Sequence, residues 1–128
     1  MEEYRGMYFE YREFSVLVGQ TIEKILVSEE NDVLFIDTTN NEYMLFHEQD
    51  CCEKVELEDI TGDLSDLIGH PITMAEVVTN QGEGGNQGRY TWTYYKLATN
   101  KGYVTIRWYG ESSGWYSEKV DFAEIFNE

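Results

Sequence analysis

Positive charge is what this sequence has least of. Nine Lys and Arg stand against 25 Asp and Glu, a formal net charge of −16 at pH 7. Contacts to phosphate need cations, so this balance excludes an ordinary nucleic-acid binder and a protein that docks on anionic membranes. No apolar run approaches the ~18 residues of a membrane-spanning helix. The opening MEEYRGMYFEY is acidic and mixed, unlike a secretory signal or a basic transit peptide. The expected compartment is the cytosol. Two cysteines are too few for a disulfide framework, and in the cytosol they are expected as thiols or ligands. With one proline, no linker divides the chain, and residues 1–128 are expected to form a single domain.

What the chain does have is apolar alternation, and aromatics at 15% to fill a core. Residues 21–28 and 33–38 read as strands around an EEND turn. Asn40-Asn41 then turns the chain into a strand over 43–47. Both arms of this hairpin are apolar on both faces, which places it centrally in a sheet. Val55 and Leu57 alternate with acids, as in an edge strand. Asp63 to Ile68 reads as a short helix, with Asp63 at its start, Gly69 past its end and Pro71 preventing continuation. Phe14, Leu17 and Val18 suggest another, ended by Gly19. Strands are expected over 72–79, 90–99, 103–109 and 115–122, with residues 80–89 as a mobile Gly-rich hairpin loop. The expected fold is mainly β: a curved antiparallel sheet or barrel-like closure with one or two short helices (α+β).

One internal echo bears on the architecture. Leu17-Val18-Gly19-Gln20-Thr21-Ile22 is similar to Leu67-Ile68-Gly69-His70-Pro71-Ile72. Each copy ends a short helix at glycine, starts a strand and leads into a hairpin. The pattern predicts one helix–strand–hairpin unit used twice.

The chemistry-bearing residues crowd into His47-Glu48-Gln49-Asp50-Cys51-Cys52-Glu53. Imidazole and thiolate are preferred zinc ligands, and a carboxylate can complete the set. His47 ends a strand and the following turn can fold residues back towards it, so His47, Asp50, Cys51 and Cys52 are the candidate ligands. The H-x3-C-C spacing is not that of a standard zinc finger. His70, another acid or water are alternatives for the fourth position. Two other readings stay open: a buried cysteine beside an ordinary strand-end histidine, and a vicinal disulfide. A thiol nucleophile is opposed by Glu48, Asp50 and Glu53, which disfavour thiolate. GEGGNQG lacks the Lys-Ser/Thr of a P-loop, and no Ser-His-Asp order is legible.

Charge distribution is more telling than any motif. Residues 42–66 hold Glu42, Glu48, Asp50, Glu53, Glu56, Glu58, Asp59, Asp63 and Asp66 against Lys54 alone. Duplex DNA carries one charge per ~1.7 Å of axis, so a charge of −16 matches about 27 Å of duplex, within the span of a domain this size. Such a surface fits a basic nucleic-acid groove and excludes nucleic acid from it.

The runs HEQDCCEKVELEDITGDLSDLIGHPI and YTWTYYKLATNKGYVTIRWYGESSGWYSEKVDF resemble a family of small phage and prophage proteins of uncharacterised domain type. That family includes a zinc-containing anti-CRISPR protein, an inhibitor of the type II RNA-guided nuclease. The resemblance extends from about Val33 to Phe122, and HEQDCCE and TIRWYGES are its most specific strings. It implies a structural zinc at the His47 to Cys52 turn. It also implies a non-catalytic inhibitor that binds a type II CRISPR nuclease and blocks loading of target DNA. Glu48, Glu53, Glu56, Glu58, Asp59, Asp63 and Asp66 are the expected contact residues. The alternatives are a small zinc-dependent hydrolase and an acidic phage protein that binds another host partner.

Overall fold

The computed structural model describes residues 1–126. The strands are β1 (Glu2–Tyr4), β2 (Met7–Tyr11), β3 (Ile22–Val27), β4 (Val33–Thr38), β5 (Glu42–Phe46), β6 (Lys54–Thr61), β7 (Met74–Gly84), β8 (Gly88–Ala98), β9 (Tyr103–Ser112) and β10 (Asp121–Phe126). Single-turn 3-10 helices at Phe14–Leu17 and Leu64–Leu67 precede β3 and β7. The strands form two antiparallel sheets, one ordered β1-β2-β10-β5-β4-β3 and the other β6-β9-β8-β7. The expected mainly β fold with two short helical turns is what forms.

The main core lies between the sheets. Ile22, Leu34, Ile36, Tyr43, Leu45 and Phe122 from the larger sheet share one cluster with Val55, Leu57, Leu97, Val104, Ile106 and Trp108 from the smaller. A second cluster of Phe9, Val33, Met44, Phe46, Ala123 and Ile125 covers the opposite face of the larger sheet. Alternate residues of β4 and β5 therefore face two cores, which explains why that hairpin is apolar throughout.

The larger sheet coils back on itself. β1 and β5 are separated by β2 and β10, a spacing of about 14 Å in a flat sheet, yet the Tyr4 and Phe46 rings lie 4.8 Å apart. An Arg5–Asp32 ion pair joins the β1–β2 turn to the β3–β4 turn. This curvature stops short of the expected barrel. β1 and β3 remain the ends of one open sheet, and β6 and β7 the ends of the other.

The sequence echo corresponds to a structural repeat. Each 3-10 helix leads into three consecutive strands, β3-β4-β5 in the first copy and β7-β8-β9 in the second. The strand that follows each copy crosses over: β6 pairs with β9, and β10 pairs with β5. The two glycine turns bond reciprocally. Gly19 N–H donates to the Ile72 carbonyl at 2.8 Å, and Gly69 N–H donates to the Ile22 carbonyl at 2.9 Å. These are equivalent positions of the echo, so the halves meet about a local pseudo-twofold axis.

Two expected boundaries are corrected. Residues 80–89 are not a loop: β7 continues to Gly84 and β8 starts at Gly88, in unbroken register. The last strand is Asp121–Phe126 rather than 115–122, because Trp115–Val120 runs as a strap across the smaller sheet without pairing.

Gly19 and Gly69 have φ of +88° and +83°, and a Cβ at either meets nothing within 4 Å. The cost of alanine there is purely the left-handed backbone, about 1–2 kcal/mol per site. Urea denaturation of Gly19→Ala and Gly69→Ala is expected to show losses of that size; unchanged midpoints would contradict a backbone requirement for glycine there.

Candidate functional site

The His47 turn is an internal polar knot. Its centre is the Glu53 carboxylate, 3% exposed as a residue. One oxygen accepts from His47 Nε2 at 2.8 Å and from the Asp50 backbone N–H at 2.9 Å. The other accepts from the Cys51 backbone N–H at 2.8 Å and the Gln49 side-chain amide at 3.3 Å. His47 Nδ1 lies 2.7 Å from the Lys119 carbonyl oxygen. The knot ties the end of β5 to the start of β6 and to the strap before β10. Burial alone raises the Glu53 pKa, but the backbone donors and His47 outweigh it, and the carboxyl is held at about 2 rather than 4.5.

This arrangement overturns the expected zinc site. Both ring nitrogens of His47 are engaged, and Cys51 and Cys52 are joined to each other as a vicinal disulfide. Asp50 contributes its backbone N–H. His70 lies in the other half, in the second glycine turn. Among the described residues, no group of three or more His, Cys, Asp or Glu is placed to hold a metal ion. Zinc and the metal-binding assignment are withdrawn, and the zinc hydrolase loses its metal with them. The HEQDCCE string encodes a turn wrapped around the carboxylate of Glu53, which is buried rather than on the expected contact surface.

The other expected contact acids fall into separate places. Glu48 is exposed and accepts from the Tyr11 hydroxyl. Glu56, Glu58 and Asp59 stand on β6. A bulge between Leu57 and Asp59 puts two consecutive acids beside one guanidinium. Arg107 bonds Glu58 at 2.7 Å and lies 3.8 Å from Asp59. Arg107 also sits over the Trp92 ring at 5.2 Å, and Trp92 packs on Tyr109 at 4.5 Å. The Tyr109 hydroxyl donates to Glu111, which with burial pushes its pKa up to about 12. Asp63 caps the second 3-10 helix through Ser65, and Asp66 stands on that helix against Gly102. β6 and this helix thus carry five of the seven acids in one continuous stretch of chain.

A concavity lies on the other side of the same sheet. Its inner face is apolar up to Tyr95 and Ile106, then changes character. The next cross-strand rows are Thr79–Thr93–Trp108 and Gln81–Thr91–Gly110. The strap covers β8 and β9. Glu118 accepts from Thr91 at 2.7 Å and from Ser112, and Tyr95 donates to the Val120 carbonyl at 3.1 Å. Over β7 the cover is missing, leaving a cleft of about 1330 Å³ between Val77, Thr79 and Gln81, the strap and residues 11–14. Trp115, 88% exposed, stands at its margin. The strict alternation of residues 90–95 is the sequence signal for this face, and the glycines of residues 82–88 mask the strand beside it.

No helix among the described residues is long and apolar enough to cross a membrane. Since the Glu53 pKa is depressed, its contribution to stability is complete above pH 4.5 and falls away as pH drops towards 2. Glu53→Gln is expected to cost about 3 kcal/mol at neutral pH and to flatten the acid limb of the stability curve. Equal acid limbs in urea titrations of the two proteins would contradict this. A chelator is expected to leave the Tm where it was; a fall would restore a structural metal.

No curated protein and no solved structure matches the chain. Residues 15–122, which take in both copies of the repeat, match the family described as a domain of unknown function (DUF7448), and the chain belongs to that family.

Proposed function

We propose that the protein is a non-catalytic, stoichiometric binder of a basic protein surface, and that β6 with the second 3-10 helix is its docking face. The observation that carries this reading is the excess of exposed carboxylate on β6: Glu58 and Asp59, 38% and 51% exposed, share the one Arg107 guanidinium, so the group keeps a net negative charge at the surface. Glu56, Asp63 and Asp66 extend the same negative strip along the chain, and the net charge of −16 supplies long-range attraction to a basic partner.

Within this reading, the DNA channel of a type II CRISPR nuclease is the partner implied by the HEQDCCE and TIRWYGES strings. Such channels are basic and hold nucleic acid through its backbone. An acidic protein seated there competes with target DNA in the cytosol without any chemical step. Glu53 takes no part in docking, because its carboxylate is consumed by the internal knot.

The test is competition. Purified protein is titrated into guide-loaded type II nuclease and labelled target DNA. Wild type is expected to displace the DNA. The variant with Glu56, Glu58, Asp59, Asp63 and Asp66 all changed to Lys is expected to lose at least about tenfold in potency. Glu56→Lys alone changes it little. Equal potency of the fivefold variant would remove the docking face. No displacement by wild type would remove the nuclease as partner.

A further inference from the structure

The four outermost strands among the described residues, β1, β3, β6 and β7, are not alike. β1 has only three residues. β3 has six, a register shift between Ile22 and Lys24, and the charged Glu23 and Lys24 at the shift. β6 is bulged and charged, and its Leu57 N–H already donates to the Asn31 carbonyl. Short length, bulges and charge are the devices that keep an edge from pairing with another chain.

β7 is neither short nor bulged, and its charges are two acids, Glu76 and Glu83. It runs 11 residues in unbroken antiparallel register, from Met74 opposite Ala98 to Gly84 opposite Gly88. It contains no proline, lysine or arginine. Val77 and Val78 at its centre are 49% and 45% exposed. The first 3-10 helix packs against β7, and the Gly19 turn bonds the chain before it at Ile72. Among the described residues, no backbone outside β8 bonds Glu76–Gly84.

The repeat makes this edge more informative. Aligned on Ile22 and Ile72, β3 ends at Val27 and its counterpart would end at Val77. β7 continues for seven residues more, and this overhang has no equivalent in the first half. Gly82 belongs to it. A Cβ there would stand 2.3 Å from the Tyr90 hydroxyl, so glycine lets that ring lie across β7 and stiffen the overhang. The cleft opens beside the same residues.

We infer that the edge Glu76–Gly84 receives an extended, positively charged segment of a partner polypeptide as an added antiparallel or parallel strand. Main-chain hydrogen bonds to the free edge supply affinity, and alternate side chains meet different surroundings. One set faces the cleft beside Val77, Thr79 and Gln81. The other lies beside Glu76, Val78 and Asn80, next to Tyr94 and Trp92. The charge of the occupant follows from the chain it joins. Glu76 and Glu83 of β7 stand opposite Lys96 and Arg89, and Arg12, Arg89 and Lys119 balance Glu13, Glu118 and Asp121 around the cleft, so the bias towards a positive segment comes from the net −16 of the whole chain, which a second copy would bring again. This inference concerns a different edge from the β6 docking face and stands without it.

The test uses the full chain, isotope-labelled, with the synthetic nonapeptide Lys-Val-Lys-Thr-Lys-Val-Lys-Thr-Lys and its counterpart carrying Glu for Lys. Hydrogen exchange is read residue by residue. The lysine peptide is expected to slow alternate amides within Glu76–Gly84 by about tenfold or more, and the glutamate peptide is expected to leave them unchanged. Backbone groups alternate between β8 and the free edge, so of Thr79→Pro and Asn80→Pro one keeps the native fold. That variant is expected to lose the peptide-induced slowing, with near-ultraviolet circular dichroism as the folding check. Unchanged exchange in this segment with the lysine peptide would overturn the inference. Slowing without peptide that grows with protein concentration would assign the edge to a second copy and overturn it equally.

Discussion

The reciprocal exchange between two glycine turns is the constraint on which the rest of the structure depends. Gly19 and Gly69 each end a single-turn helix in a left-handed conformation and send their N–H to the equivalent isoleucine carbonyl of the other half, Ile72 and Ile22. A bridge between Thr21 and Pro71 and a further Ile72-to-Gln20 hydrogen bond complete the seam. This fixes where β3 and β7 begin and hence where each sheet sits. The strand after each hairpin then crosses to the opposite sheet, so neither half is complete without the other. Trp108 and Phe122, which close the core from the two sheets, are both on strands engaged in this exchange.

Function is sought where the two halves stop matching. The first half adds the coiled β1–β2 hairpin and the Glu53 knot; both are internal bracing that ties the larger sheet to itself and to the strap. The second half adds the β7–β8 overhang, and its inner face turns from apolar to hydroxyl and amide once it leaves the core. On the outer side of the same sheet, β6 brings its acids beside Trp92, Arg107 and Tyr109. One sheet therefore carries the proposed acidic docking face at one edge and the long β7 edge at the other, on a chain whose net charge of −16 favours basic partners.

The repeat was legible in the sequence because it rests on local chemistry: glycine where φ must be positive, and leucine and isoleucine at fixed distances on either side. The β4–β5 hairpin was legible because residues facing two cores leave no polar face. The acids of residues 42–66 were legible as charge, but their separation into a buried knot, a strand edge and a helix cap depends on tertiary folding. Composition misled in two places. Gly82 and its neighbours look like a loop, yet glycine there makes room for Tyr90 within a strand. Trp115 to Val120 alternates like a strand, yet its polar atoms are used by Glu118 and Lys119 to hold a strap. His47 and the adjacent cysteines have the chemistry of a metal site, and only the structure shows that Glu53, six residues on, takes the imidazole first.

The most direct measurement is native-state hydrogen exchange at the amides of Gly19, Gly69 and Ile72. If these bonds hold the two halves together, they open only when the whole molecule unfolds. Their protection should then equal that of the slowest core amides in β5 and β9 and move with global stability as urea is added. Exchange through local opening, far faster than the core and insensitive to urea, would contradict the account.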